Sequence, residues 1–273
     1  MAEVLRGTWV IAYRELLRFF QERARAFSSL GMPLLFLIIF GAGFNRIIGQ
    51  MMPGMDYIQF MYPGIIAMLV FMNSIFSGLS VVWDREFGFL KEVLVAPLSR
   101  SGIVLGKAVG AAVIAIGQTL LMLVLAPILG VKLTPLLVLK LIPLLILLSV
   151  SLSGLGLLVA SRMRSQQGFQ VVVQIIVFPM LFVSGVFFPV NDVPLWLEVL
   201  SKINPLTYGV DAVRQIFLNG FLPPSGIPGG AIPSVLGVNV LGHITTIWED
   251  IAIVGLLGVV LMALAVWFFG RQE

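Results

Sequence analysis

The stretch Ile251–Phe269, IAIVGLLGVVLMALAVWFF, decides the fold, because it contains no charged residue and no proline. As an α-helix at 1.5 Å per residue it rises roughly 29 Å, the thickness of the hydrocarbon core of a bilayer. A soluble core helix shows one polar edge; this one has none.

The rest of the chain repeats the pattern. Of 273 residues, 59% are hydrophobic and 11% charged, and mean hydropathy is +1.06, where a soluble domain carries about 25% charged residues. Five further apolar stretches are long enough to span: Phe27–Ile48, Ile58–Val82, Ala108–Leu129, Leu136–Ala160 and Val171–Val190. The expectation is an all-α membrane protein of six spans with both termini on one side. The first apolar run follows a charged stretch and is itself a full span, which does not read as a cleavable leader.

Lys and Arg resist translocation and so set orientation. With a cytoplasmic N-terminus, 12 of the 17 basic residues fall inside, among them Arg6, Arg14, Arg18, Arg85, Lys91, Lys107 and Arg162; Arg46, Lys132, Lys140, Lys202 and Arg214 fall outside. The net charge of +4 therefore reads as topology and attraction to anionic lipid, with no nucleic-acid surface implied. The absence of cysteine excludes disulfide and thiol chemistry.

Residues 1–26 read as an amphipathic interfacial helix ahead of a membrane domain over 27–273. Leu5, Thr8, Trp9, Ala12, Leu16, Phe19 and Phe20 share one face, and Glu3, Arg14, Arg18, Glu22 and Arg25 the other. Such a helix lies on the membrane, apolar side down, or is a soluble amphipathic segment. Residues 83–98 follow the second span: Asp84, Arg85 and Glu86 leave the membrane, Phe87, Leu90 and Leu94 recur at helical spacing, and Pro97 ends the turn. This is a short helix across the ends of two spans or a solvated connector. The fifth span carries Pro179, the small pair Ser184 and Gly185, and Pro189 at its close. Over 191–219 two pieces of about ten residues follow, one opening at Asn191 or Asp192 with Pro194 inside, the other at Asn204 with Pro205. Too apolar to float and too short to span, they read as a re-entrant pair forming an outer gate, or as helices resting on the outer headgroups.

Two stretches carry a family resemblance: Trp83–Arg100, WDREFGFLKEVLVAPLSR, and Phe178–Arg214, FPMLFVSGVFFPVNDVPLWLEVLSKINPLTYGVDAVR. They resemble the signature regions of permease subunits of type 2 ATP-binding-cassette exporters, and SGVFFP at Ser184–Pro189 is similar to the drug-resistance members. The resemblance implies a homodimer in a bacterial or archaeal cytoplasmic membrane, paired with two copies of a separate ATPase that holds ATP and Mg, while this chain binds no cofactor. It implies that Asp84, Arg85, Glu86, Phe87, Leu90, Glu92 and Leu94 form a coupling helix seated on the ATPase. Ser184, Gly185, Phe187, Phe188, Pro189, Trp196 and Tyr208 then belong to the outer gate. Cargo in the family ranges over drugs, lipids and lipid-linked glycans.

The residues agree with an external motor, since no Gly-x-x-x-x-Gly-Lys-Ser/Thr loop is present. Ion coupling needs titratable groups at membrane depth. No acid lies mid-span; Glu198 and Asp211 come nearest, and Glu249 and Asp250 read as an interfacial helix start. Polar span residues, including Asn73, Gln118, Gln170, Gln174 and Ser149, either line a path for an amphiphile or bond neighbouring helices. Gly106, Gly110 and Gly117 suggest a close helix approach. His243, the single histidine, reads as a solvated loop residue.

Overall fold

Hydrocarbon solvates leucine as well as another leucine does, so the bundle must be held by close backbone approach and by polar contacts. The computed structural model of the chain describes residues 2–21, 23–51, 57–88, 100–131, 133–191, 193–221, 237–240 and 243–270. Its helices are α1 (Ala2–Gln21), α2 (Arg23–Met51), α3 (Tyr57–Glu86), α4 (Arg100–Leu125, continued by a 3-10 turn at Ala126–Leu129), α5 (Pro135–Arg162), α6 (Gln166–Val183), α7 (Leu195–Ile203), α8 (Pro205–Phe221) and α9 (Ile247–Gly270). A two-residue antiparallel ladder pairs β1 (Asn239–Val240) with β2 (His243–Ile244). Five described helices, α3, α4, α5, α6 and α9, are long and apolar enough to cross a membrane, and α2 carries a shorter apolar stretch, Leu30–Phe44. The protein is an all-α membrane protein.

The central helix is α3, in which every residue from Phe60 to Phe71 is buried. It crosses α5 where two glycines face each other: a Cβ on Gly78 would run into the Gly156 carbonyl, and one on Gly156 into the carbonyl of Ile75, both far inside van der Waals contact. Ser74 Oγ and Ser149 Oγ meet at 2.9 Å beside the crossing. Gly258 of α9 likewise receives Ser151 of α5, and Gly106 and Gly110 of α4 receive Ile11 and Glu15 of α1. Gly117, grouped with that pair in the sequence, has open space around it.

Several boundaries differ from the sequence reading, among them the start of α4 at Arg100 ahead of Ala108, both ends of the fifth span and the start of α7. The fifth span is Gln166–Val183, because Ser165 caps its start by accepting from the Gly168 N–H and Gly185, at φ 81°, turns the chain at its end. Pro179 lies within that helix without ending it. Helix α7 begins at Leu195 rather than near Asn191, whose amide instead donates to the Gly237 carbonyl and accepts from the Asn239 N–H. The next helix starts as read: Asn204 Oδ1 accepts from Leu206 N at 3.1 Å, with Pro205 at the first position.

Helix α1 also turns differently. Gly7, Ile11 and Ala12 are buried, whereas Leu5, Trp9, Tyr13 and Leu17 are exposed one turn apart along a second apolar edge. Thr8 and Ala12 thus belong to the docked side, because the glycines of α4 admit the helix there.

Candidate functional site: the charged foot of α3

Lys107 of α4 is only 2% exposed, so its ammonium must find three acceptors inside the protein. It donates to Ser80 Oγ at 2.7 Å, Asp84 at 2.9 Å and Glu15 at 3.2 Å. Arg14 donates to Asp84 at 2.6 Å and lies 3.5 Å from Glu15, while Arg18 approaches Asp84 at 4.0 Å and stands over the Trp83 ring. Three cations and two anions from three helices therefore gather at one end of α3, each anion within reach of more than one cation. Gly110 creates the junction locally, since a side chain there would hold Glu15 away from Lys107.

Burial by itself would push the Glu15 carboxyl up, but Lys107 and Arg14 outweigh it and hold that carboxyl below its usual range. A lowered folded value means the contribution to stability is complete above the ordinary glutamate pKa and is lost as pH falls through the lowered value. Acid titration should therefore loosen α1, read as faster proteolysis of the N-terminal segment. In Glu15→Gln that acid-dependent step should shrink; an unchanged step would show that the junction does not hold α1.

Asp84, Arg85 and Glu86 make up the last turn of α3 rather than a separate helix. Successive residues on a helix point about 100° apart, so three neighbours can grip three different partners. Asp84 faces α1 and α4. Arg85 donates to the Met163 carbonyl at 2.5 Å and to that of Ser161 at 3.4 Å, capping the end of α5. Glu86 accepts from the Gln166 N–H at 3.1 Å, capping the start of α6. A cation on carbonyls and an anion on amide N–H groups both complement the helix dipole. Phe87 is exposed, and Gly88 turns the chain away at φ 80°. Leu90, Glu92 and Leu94 lie outside the described residues.

Above this foot a cleft of about 80 Å³ opens between α1, α3 and α4, lined by Arg18, Phe19, Asn73, Phe76, Trp83 and Gln118 among others. Asn73 Nδ2 bonds Gln118 Oε1 across it. Gln170 is half-buried and Gln174 exposed on α6, whose buried stripe is Phe169, Val173, Val177 and Leu181. Neither glutamine lines the cleft with Asn73.

The residues read from the sequence as an outer gate lie away from this foot. Phe187 packs its ring against Phe36, Phe40 and Phe182 at centroid separations of 5.2–5.3 Å, and its carbonyl accepts from Tyr57 Oη at 2.6 Å. Ser184 is buried and donates to the Leu181 carbonyl, and the Gly185 carbonyl accepts from Arg214 at 2.6 Å. Phe188 and Pro189 are half-buried. Tyr208 is buried and ties α8 to α7 by donating to the Lys202 carbonyl at 2.7 Å. Trp196 is exposed on α7 beside Leu195, Val199, Leu200 and Ile203.

Sequence reasoning missed two features. It placed Lys107 among loop cations, and its partner Glu15 is too distant in sequence for any local pattern to pair them. It placed Asp250 at an interfacial helix start, yet Asp250 is fully buried. The capping role there belongs to Glu249, which accepts from the Thr246 N–H at 2.7 Å while Thr246 Oγ1 accepts from Glu249 N at 3.4 Å.

Comparison with known proteins matches residues 6–218 to the family described as ABC-2 type transporter. The chain is 32% identical over 193 residues to the "Putative transport permease ycf38" of Cyanophora paradoxa, covering 70% of this chain and 67% of that one. It is 34% identical over 167 residues to the "Probable multidrug ABC transporter permease YbhR" of Escherichia coli K12, covering 61% of this chain and 45% of the relative. Over 228 residues it is 28% identical to "Nodulation protein J" of Rhizobium meliloti, covering 82% and 86%. With the match spanning α1 through most of α8, the chain belongs to the ABC-2 type transporter family and is an integral membrane permease of an ABC transporter.

Proposed function

We propose that this permease exports a hydrophobic or amphiphilic solute, drug-like or lipid-like, outward across a cytoplasmic membrane, driven by ATP hydrolysis on two copies of a separate ATPase. Its termini face the cytoplasm, it acts as a homodimer in contact with membrane lipid, and ATP and Mg reside on the ATPase. The domain division at residue 26, the coupling segment 83–98 and the re-entrant hairpin 191–219 belong to the same reading. One observation carries it: Asp84, Arg85 and Glu86 join the root of the segment resembling a coupling helix to α1, α4, α5 and α6 at once. Motion delivered there reaches four helices in a single step, tilts the spans and displaces the hairpin around Phe187 and Tyr208. The exposed apolar edge of α7, with Trp196, faces lipid or the second protomer. The cleft at Asn73 is smaller than the roughly 300 Å³ of an ordinary ligand pocket.

The test uses the permease with its ATPase in proteoliposomes. Arg85→Ala and Glu86→Ala each release one helix end and should lower solute moved per ATP by about tenfold, with hydrolysis retained. Unchanged coupling in both variants overturns the role of this turn. Transport that survives ATP removal and stops on collapse of the proton gradient overturns the ATP-driven reading; no turnover with any solute points to a membrane scaffold.

A further inference from the structure

Asp211 of α8 and Asp250 in the first turn of α9 are buried, at 2% and 0% exposure. One amide joins them: Gln215 Nε2 donates to Asp211 Oδ2 at 2.9 Å and to Asp250 Oδ2 at 3.0 Å. Asp211 Oδ2 also accepts from the Val238 N–H and from Thr245 Oγ1, both at 3.3 Å, so the pair gathers α8, α9 and the chain around the β ladder. Each keeps a buried Oδ1 with no donor from the protein. Two ionised carboxylates held by one amide nitrogen repel in a medium of low polarity, and a single proton on the pair removes that repulsion.

The surrounding charges leave room for that proton. Arg214, one turn along α8, balances one carboxylate, and its guanidinium donates to the Gly185 carbonyl and lies over the Phe60 ring. Glu249 adds a further negative charge from α9, and Tyr208 and, through Arg214, Tyr57 are the phenols in range. Among the described residues the other packed helices bring no cation to the pair: Lys140 of α5 is exposed, Arg162 stands over Phe268 at the opposite end, and Lys202 pairs with Glu198 on α7. Lys107 of α4 and the charged turn of α3 are engaged at the foot.

We propose that Asp211 and Asp250 form a one-proton binding site that clasps the α7–α8 hairpin to α9, and that release of the proton frees the hairpin. The inference is independent of cargo and of transport direction. Deprotonation puts two like charges side by side on different helices, and separation of α8 from α9 is the relief open to them.

The chain has no cysteine, so a single introduced thiol reports on the seam. Thr207 is buried one turn before Asp211 and its hydroxyl has no partner, which makes Thr207→Cys a mild change. Maleimide attacks the thiolate, whose fraction itself rises with pH, so labelling in the complete transporter without nucleotide is read as the ratio to the same thiol in an Asp250→Asn background, whose amide donates as the protonated acid does. That ratio should rise about tenfold with increasing pH, and an Asp211→Asn background should serve equally as the reference. A ratio that stays constant with pH against both asparagine variants overturns the site. Infrared spectroscopy of the unsubstituted transporter supplies a reading that no folding defect can confound: a neutral carboxylic-acid carbonyl band should be present at pH 7, and its absence overturns the proposal.

Discussion

Replacing Lys107 by methionine is expected to destabilise the permease by about 3 kcal/mol, because removing one partner of a buried ion pair strands the other. The stem of lysine and the methionine side chain are similar in volume, so packing survives and the loss is electrostatic. Asp84 would keep Arg14 and the more distant Arg18 but lose its ammonium partner, and Glu15, left with Arg14 alone at 3.5 Å, would face Asp84 across the vacated position. Thermal unfolding in lipid, followed by tryptophan fluorescence, measures the loss. The companion variant Lys107→Met with Asp84→Asn removes both charges and should recover much of it, since a well-packed neutral pair can equal a buried ionic one. If the single and double variants are equally stable, the ion pair does not hold the foot together.

Gly156→Ala should cost on the order of 3 kcal/mol, at the upper end for overpacking. The added methyl would collide with the backbone carbonyl of Ile75. That carbonyl belongs to a helix, which cannot swing aside as a flexible side chain can, so α3 and α5 must part. Parting them also lengthens the contact between Ser74 and Ser149. Gly117→Ala is the matched control: nothing lies within 4 Å of its Cβ position, and alanine favours a helix over glycine by up to about 1 kcal/mol. Equal behaviour of the two variants would refute the crossing as the structural pivot.

The spans were legible because a charge-free apolar window long enough for hydrocarbon has few other fates. Ile251–Phe269 falls within the structural α9 and Leu136–Ala160 within α5. The end of the fifth span was misplaced because hydrophobicity continues past it: Val186, Phe187 and Val190 are buried in a turn, in part through rings on α2 and α6, and the local signals of the stop were the small pair Ser184 and Gly185. The roles of Lys107 and Asp250 were not legible, because composition reports that a residue is charged and not whether a distant helix brings it a partner. Gly106 and Gly110 were flagged by spacing, but spacing could not say that α1 would be their neighbour or that Gly117 would have none.

The backbone contact between Gly78 and Gly156 has a mechanical consequence. With no side chain between the helices, the crossing resists compression and acts as a fulcrum for α3. From Gly78 to Glu86 is about 12 Å of helix and from Gly78 to Tyr57 about 32 Å, at 1.5 Å per residue. A tilt about that point swings the Tyr57 end roughly 2.6 times as far as the Glu86 end, so α3 is geared to turn a short stroke at its foot into a long one beneath Phe187.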